Sequence, residues 1–354
     1  MPTATGQWAS ARAGAPQGRG IAVATWLFTC CGLIFSMIVV GGITRLTLSG
    51  LSITQWNPVI GIVPPLTHAQ WADAFARYKQ IPEYRLIHYG MTLAQFKGIY
   101  FWEYIHRLLG RLIGFTFAVP LLWFWLRGKL PRRLAPALAG ILALGFAQGA
   151  LGWYMVESGL VHRVEVSQYR LVAHLALALL IYSAILWVGL GLARGQAVED
   201  AGAGWRRAAD TVLILVALTI VAGGFVAGTR AGFVYNTFPL MGGRLVPADY
   251  AQLHPFIQNL FANVAAVQFD HRVLAMTTAA GILLLWAAGL RATLPSPAQI
   301  ALWALLAAVA LQVALGISTL LLVVPIPLAV AHQGSAVILL SAAIVFRHTL
   351  RRAS

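Results

Sequence analysis

Residues 21–44 read IAVATWLFTCCGLIFSMIVVGGIT, a continuous run without Asp, Glu, Lys or Arg. A helix needs about 20 apolar residues to cross the ~30 Å hydrocarbon core of a bilayer, and this run is long enough. The apolar core of a cleaved signal peptide is shorter, about 7–15 residues. The run therefore predicts a first membrane helix that is retained.

The rest of the chain has the same apolar character. Hydrophobic residues make up 59% of the 354 residues and charged residues only 10%, whereas soluble domains are about 25% charged. Residues 112–126 extend backwards as a helix through the polar segment around His106, and the charge-free stretch 292–346 is divided at Pro325-Ile326-Pro327. The other uncharged runs are residues 134–156, 171–193, 211–229 and 273–290. We predict an all-α integral membrane protein with eight transmembrane helices.

The net charge of +15 comes from short basic clusters between the apolar runs. They form no continuous basic stripe, which argues against a nucleic-acid interface. Lys and Arg accumulate in cytoplasmic loops, and here they follow every second predicted helix. We therefore expect both termini in the cytoplasm and longer loops of mixed charge on the outer side. The clustered residues are Arg127, Lys129, Arg132, Arg133, Arg194, Arg206, Arg207, Arg291, Arg347, Arg351 and Arg352.

An internal repeat divides the chain. Gly41-Gly42 matches Gly223-Gly224, and Ser49-Gly50 matches Ala231-Gly232 at the same offset. Later matches keep this order: 57–58 with 238–239, 103–107 (EYIHR) with 268–272 (QFDHR), 148–152 (QGALG) with 312–316 (QVALG), and 172–174 with 330–332. We predict two pseudo-symmetric four-helix halves of one orientation. Their bounds are 21–195 and 208–348, with a cytoplasmic linker at 196–207 and cytoplasmic tails at 1–20 and 349–354.

Four of the nine histidines occupy equivalent places in the repeat, each near the outer start of an even-numbered helix: His106, His174, His271 and His332. A single histidine in an apolar helix is usually a hydrogen-bonded core residue. An imidazole in hydrocarbon is nevertheless costly and often functional, and symmetric pairs favour function. The other histidines are expected to be solvated in loops or in the C-terminal tail; they are His68, His88, His162, His254 and His348.

Two neutral imidazoles from facing helices suit axial ligation of haem iron, a common use of helix-bundle interiors. Zinc would need further ligands, and no cysteine or carboxylate completes a tetrahedral shell at these positions. We therefore predict one haem site per half. His106 pairs with His174 in the first half, and His271 pairs with His332 in the second.

The two predicted sites differ in one carboxylate. Glu103 precedes His106 by one helical turn and projects from nearly the same face, whereas the second half has Gln268 there. The difference points to chemistry in the first half and electron transfer in the second. The alternative for Glu103 is an ion pair with Arg107. Five arginines at the outer mouth are candidates to neutralise haem propionates or to extend to lipid headgroups: Arg107, Arg111, Arg170, Arg230 and Arg272.

Several long motifs in this order resemble haem A synthases over roughly residues 20–348. They are 41–47 (GGITRLT), 49–52 (SGLS), 56–58 (WNP) with Gly61 and Pro64-Pro65, 103–107 (EYIHR) with Gly110-Arg111, and 169–171 (YRL) leading to His174. Some bacterial members carry cysteine pairs in the outer loops, whereas the only cysteines here are Cys30 and Cys31. The chain therefore resembles the branch typical of proteobacteria and mitochondria.

The resemblance implies an enzyme of the bacterial inner membrane that oxidises a ring methyl of haem O to a formyl group by successive hydroxylations. The product, haem A, serves cytochrome oxidases. His271 and His332 are then the ligands of a permanent haem b, and His106 and His174 hold the substrate haem O. Glu103 matches the catalytic acidic residue, and the haem sites lie toward the periplasm.

The resemblance further implies contact with lipid, handover of substrate from a haem O synthase and an unidentified electron acceptor, and it allows a homo-oligomer. Two other readings remain open from the residues. A dihaem b-type electron carrier would retain two haems b and contain no modified porphyrin. A secondary transporter would place ionisable residues or broken helices near the bilayer midplane, whereas the ionisable residues here gather at the outer surface.

Overall fold

The computed structural model describes residues 17–56, 60–162, 166–193 and 202–351, and within them the chain forms eleven α-helices and no β-strand. Eight of these helices are long and apolar enough to cross a membrane, which confirms the predicted all-α membrane fold. The helices are α1 (Gln17–Leu46), α2 (His68–Tyr78), α3 (Pro82–Leu86), α4 (Leu93–Leu126), α5 (Ala135–His162), α6 (Gln168–Ala193), α7 (Ala203–Gly228), α8 (Asn259–Ala262), α9 (Val264–Gly289), α10 (Ser296–Leu321) and α11 (Ile326–Thr349).

Several predicted boundaries need correction. Helix α7 begins at Ala203, inside the predicted linker 196–207, and α1 begins at Gln17, inside the predicted N-terminal tail. Helix α11 ends at Thr349, one residue into the predicted C-terminal tail. Residues 194–201, and the Asn57-Pro58 part of the repeat, lie outside the described residues.

Polar caps set the outer ends of the helices that carry the predicted sites. At the start of α4, the Thr92 hydroxyl accepts from the backbone N–H of Gln95, and the Gln95 side chain accepts from the N–H of Thr92. Such a capping box satisfies two N–H groups that the helix itself leaves unpaired. The Asn263 side chain caps α9 by accepting from Ala265 and Ala266. These caps extend both helices beyond their apolar runs, so the segments around His106 and His271 are helical.

The long helices pack as two bundles. Helix α1 contacts α4 and α6, and α5 closes the first bundle against the same two helices. In the second bundle, α7 contacts α9 and α11, and α10 packs on the same two. The bundles meet through contacts of α1 with α11 and of α6 with both α7 and α11. One apolar cluster draws residues from all eight long helices and joins the bundles, including Leu27, Leu138, Ile185, Ile282 and Leu305.

The backbone repeats the symmetry that the sequence indicates. Two residues beyond the end of α1 and of α7, the chain has a residue with left-handed backbone, Leu48 at φ 51° and Arg230 at φ 57°. In the residue before each, a hydroxyl donates to the carbonyl one turn earlier, from Thr47 and from Thr229, at 2.8 Å in both cases. Left-handed backbone is uncommon for residues other than glycine. Its recurrence at equivalent positions shows that the first long helix of each half is followed by the same turn.

The outer loop before α4 has its own core, which is not evident from the sequence. Helices α2 and α3 pack on α4 through buried Phe75, Tyr78 and Phe96. The Tyr78 hydroxyl contacts Oε2 of the buried Glu83 at 3.2 Å and Nδ1 of His88 at 2.6 Å. Burial raises the pKa of Tyr78 and lowers the pKa of His88. The expectation that His88 is simply solvated was therefore wrong.

His348 also departs from expectation. Its side chain is only 1% exposed, and its ring makes an edge contact with Trp187 of α6, with centroids 4.9 Å apart. The last turn of α11 thus packs against the first bundle, so the prediction of a solvated tail residue was wrong. The His162 side chain lies outside the described residues.

Candidate haem-binding site

The four repeated histidines lie on four different helices, and each ring sits against a glycine of the preceding long helix. A side chain larger than hydrogen at that glycine would crowd the ring. A Cβ atom on that glycine would lie within about 3 Å of the imidazole. The pairs and distances are Gly41 to His106 at 3.2 Å, Gly152 to His174 at 2.9 Å, Gly223 to His271 at 3.0 Å and Gly316 to His332 at 2.8 Å. All four glycines belong to the repeat motifs.

The structure brings the histidines together in the predicted pairs. His106 of α4 and His174 of α6 are close enough to interact electrostatically, and so are His271 of α9 and His332 of α11. Each pair joins the second and fourth long helices of one bundle. The two imidazoles of each pair therefore enter the same bundle from different helices, as axial ligands of one porphyrin must.

Hydrogen bonds orient the rings differently in the two halves. Nδ1 of His271 donates to the carbonyl oxygen of Thr219 at 3.1 Å, and the Thr219 hydroxyl is held by that of Thr278 at 2.8 Å. A bond of this kind fixes the tautomer and leaves Nε2 available to a metal. In the first half, the amide nitrogen of Gln148 lies 3.3 Å from Nε2 of His174 and donates to its backbone carbonyl at 3.0 Å.

The donor set fits haem iron. Nδ1 of His174 is buried and has no hydrogen-bond partner within the described part of the chain. A buried ring nitrogen normally finds a partner, so a ligand from outside the protein would satisfy one nitrogen of this ring. Among the described residues, no three His, Cys, Asp or Glu side chains cluster as ligands of a bare ion. Two imidazoles per site match an iron whose other four ligands come from a porphyrin.

Glu103 lies one turn from His106 and is almost completely buried, with 3% of its side chain exposed. Its Oε1 accepts from Nε and Nη2 of Arg107 at 3.1 and 2.6 Å. Its Oε2 accepts from the Ser52 hydroxyl and from the backbone N–H of Ile53, both at 2.7 Å. Both carboxylate oxygens are therefore engaged, and the ion pair with Arg107 considered from the sequence is present.

Arg107 and Glu103 together hold the outer loop against α4. The guanidinium also donates to the carbonyl oxygens of Ile53 at 2.8 Å and Gln55 at 3.1 Å. Hydrogen bonds to charged groups are worth roughly 1.5–3 kcal/mol each when buried. We call this arrangement the arginine clamp. The pair of Glu103 and Arg107 is predictable from the sequence, whereas the bonds to the loop carbonyls are not.

The second half contains the same clamp with a neutral amide. Nη2 of Arg272 donates to Oε1 of Gln268 at 2.8 Å and to the carbonyl of Tyr235 at 2.6 Å, and Nη1 donates to that of Thr237 at 2.7 Å. The amide nitrogen of Gln268 donates to the carbonyl of Ala231 at 2.6 Å. Ile53 and Gln55 of the first half are equivalent to Tyr235 and Thr237 in the repeat. The clamp is thus duplicated, and the carboxylate distinguishes the two copies.

The other three arginines named from the sequence lie at the same outer end. Arg170 donates to the Tyr154 hydroxyl at 3.1 Å and stacks over that ring at 4.4 Å. Arg230 lies over the ring of Phe233, 5.6 Å from its centroid. Arg111 lines an outer cavity of about 300 Å³ together with Arg107 and Ser52. This cavity borders the clamp that contains Glu103.

Fold and site together define an integral membrane protein of two symmetric four-helix bundles, each with a histidine pair suited to haem. A sequence model of a family described as cytochrome oxidase assembly protein, COX15-CtaA, matches residues 24–344. The chain is 52% identical to the haem A synthase of Rhodospirillum centenum over 335 residues, which cover 93% of this chain and 88% of the relative. Identity is 48% to that of Nitrosospira multiformis, over 93% and 94% of the two chains, and 49% to that of Granulibacter bethesdensis, over 96% and 90%. The chain therefore belongs to the haem A synthase family, as its motifs indicated.

Proposed function

We propose that the chain converts haem O to haem A by oxidising one ring methyl group to a formyl group, for use by a cytochrome oxidase. One observation carries the proposal: two equivalent histidine pairs, each backed by glycines, of which only one has a buried carboxylate one turn away. Two haem sites with different neighbours fit one site for chemistry and one for electron transfer. The similarity to haem A synthases along the chain supports the same reaction.

We assign the substrate haem O to His106 and His174 and a resident haem b to His271 and His332. The second half is the better prepared for permanent binding, since Thr219 orients His271 and Gln312 accepts from Ser335 in α11. In the first half, Oε1 of the equivalent Gln148 is buried and has no partner among the described residues. Its amide lies 3.3 Å from Nε2 of His174 and would have to move if that nitrogen held the iron. A site that adjusts in this way suits a porphyrin that enters and leaves.

The chemistry is a four-electron oxidation of a methyl carbon. Conversion of a methyl to a formyl group takes up one oxygen atom and, written with water as its source, releases four protons and four electrons. Bound haem b would supply a one-electron carrier between the substrate and an outside acceptor. The residues of the chain orient the substrate iron through two imidazoles and provide a proton acceptor beside it.

We assign that acceptor to Glu103. Its carboxylate pairs with the guanidinium of Arg107, and the Ser52 hydroxyl connects it to the outer cavity that Ser52 also lines. Protons released at the methyl group then have a route through Glu103 and Ser52 to the outer side. General bases positioned in this way contribute roughly 10²- to 10⁴-fold to a rate. In the second half, the amide of Gln268 has no such capacity.

We further propose that both termini face the cytoplasm of a bacterium whose inner membrane holds the protein, with both haem sites toward the periplasm. Haem O is very apolar, so entry from the lipid or handover from a haem O synthase supplies the substrate. Pigment extracted from purified protein and separated by chromatography tests the function. A haem A synthase yields haem b together with haem O and haem A, whereas a dihaem electron carrier yields haem b alone.

A further inference from the structure

The contacts between the two halves repeat the internal symmetry. Gly42 of α1 faces α11, and the equivalent Gly224 of α7 faces α6. A Cβ atom at Gly224 would lie 3.1 Å from Val172 and 3.5 Å from Leu175. A Cβ atom at Gly42 would lie 2.7 Å from Oε1 of Gln333. Each glycine thus makes room for a side chain of the other half.

The symmetry is broken at one position, which follows a histidine. Leu175 comes directly after His174, and Gln333 comes directly after His332. Only Gln333 is polar, and its amide nitrogen donates a 2.7 Å hydrogen bond to the carbonyl oxygen of Ile38 in α1. The helix that carries His332 is therefore tied to the other half by a directional bond, whereas the helix that carries His174 makes an apolar contact.

The turn of α1 that receives this bond also supports the other histidine pair. Gly41 lies within residues 38–42 and packs against Nε2 of His106. A short connection through one side chain and one helical turn therefore runs between the two predicted haem sites. It leads from His332 through Gln333 and the turn 38–42 to His106.

We propose that Gln333 is a positioning residue that fixes the His332 side of the haem b site against the α1 turn behind His106. It thereby sets how the two haems lie relative to each other. This inference rests on the proposed assignment of a haem to each pair. Where water is scarce, a side-chain hydrogen bond has no competing partner and holds its geometry. A leucine of similar size would fill the space but could not form this bond between α11 and α1.

A second hydrogen bond between the halves provides a matched control. The hydroxyls of Tyr182 in α6 and Ser341 in α11 lie 2.8 Å apart. Ser341 is on the same helix as Gln333 but about 13 Å from His332 along the axis, at a rise of 1.5 Å per residue. Tyr182→Phe removes a bond between the halves without touching either histidine pair.

The experiment compares Gln333→Leu, Gly42→Ala and Tyr182→Phe with the unmodified chain. Protein from cells that make haem b but no haem O is examined by electron paramagnetic resonance, since the signal of ferric bis-histidine haem depends on the angle between the imidazole planes. Protein from cells that also make haem O is extracted to measure the ratio of haem A to haem O. Thermal unfolding of each variant is measured in parallel.

We expect Gln333→Leu to retain haem b but to shift its largest g value and to lower the haem A ratio roughly tenfold, as losses beside metal ligands do. Gly42→Ala should act in the same way, because its Cβ displaces the Gln333 amide. The double variant should be no worse than either single variant, since both remove one interaction. Tyr182→Phe should change neither readout.

The inference is overturned if Gln333→Leu matches Tyr182→Phe in both the resonance signal and the haem A ratio. If the leucine variant does not accumulate, Gln333→Met decides the question in the same way, because it keeps the length of the side chain without its donor. Failure of the unmodified chain to make haem A would instead refute the proposed function. The resonance comparison on haem b alone would still decide the role of Gln333.

Discussion

Glu103 and Gln268 differ in one group, a carboxylate oxygen in Glu103 and an NH₂ group in Gln268. The oxygen accepts hydrogen bonds from the preceding loop, whereas the NH₂ group donates to it. The carboxylate of Glu103 accepts four hydrogen bonds, two of them from Ser52 and Ile53. The amide of Gln268 accepts from Arg272 and donates to Ala231. Both residues hold a loop, so a loop-holding role alone does not explain why one half has a buried negative charge.

Glu103→Gln tests that charge with the smallest change in shape. The new amide can still accept from Arg107, but its NH₂ group faces the backbone N–H of Ile53. We expect a stability loss of about 1–3 kcal/mol for one unsatisfied group and a fall in haem A of roughly 100-fold or more. Chromatography of extracted haems and thermal unfolding measure both effects. Normal haem A from this variant would remove Glu103 from the mechanism.

We predict that each haem site needs the glycine that packs against its histidine, Gly152 for His174 and Gly316 for His332. Gly316→Ala places a methyl group on His332 and should cause loss of haem b, whereas Gly152→Ala should spare haem b and stop conversion of haem O. Overpacking of this kind costs about 1–3 kcal/mol. Gly149→Ala is the control, since nothing lies within 4 Å of its added Cβ. Haem content by absorbance distinguishes the three, and equal haem in all of them would show that the close packing is unimportant.

At the scale of elements, the caps and the outer loop determine how the site is presented. The capping boxes at Thr67 and Thr92 start α2 and α4, and the aromatic cluster seats α2 and α3 on α4. The arginine clamp bonds the loop segment at Ile53 and Gln55 to the same helix. The described residues of the loop before α4 therefore have a defined structure over Glu103.

This loop should lose stability in acid because of His88. Burial lowers the pKa of His88 from 6.5, so below that value the unfolded loop binds a proton that the folded loop does not. Stability is then complete above about pH 6.5 and falls as pH decreases. After correction for the slower intrinsic exchange in acid, the amides of residues 68–88 should be less protected at pH 5.5 than at pH 7.5, and His88→Gln should abolish the difference. His68→Gln is the control, since the His68 side chain is exposed; an unchanged pH response in His88→Gln would contradict the assignment.

At the scale of the whole molecule, the same substitution is expected to have different effects on haem content in the two halves. Replacement of His271 or His332 by alanine should remove haem b and with it all conversion. Replacement of His106 or His174 should leave haem b in place and leave no haem A. The absorbance spectrum and the extracted haems of the four variants test this. Loss of the same pigment from all four would favour a single shared site and contradict the division of labour between the halves.

Much of this organisation follows from the sequence itself. The sequence predicts the eight spans, and the division of the last two at Pro325-Ile326-Pro327, because these depend on local composition. It also predicts the repeat of the GG, EYIHR and QGALG motifs, because the two halves have similar sequences. Four histidines at equivalent places could be paired on the same grounds. His88 and His348 were misjudged, because the sequence around each does not reveal the aromatic residues that fold over it.

The sequence by itself determined that the protein lies in a membrane, and it predicted two equivalent halves and which imidazoles belong together. Hydrocarbon imposes length and polarity on every span, and a duplicated gene segment repeats its functional residues in order. Only the tertiary structure decided that Glu103 is clamped by Arg107 to loop carbonyls, that glycines seat the four imidazoles, and that Gln333 ties one half to the other. The bonds of Arg107 and Gln333 end on backbone carbonyls far away in the chain, and every residue type has such a carbonyl. Which helix packs its glycine against which ring is likewise decided by the tertiary packing.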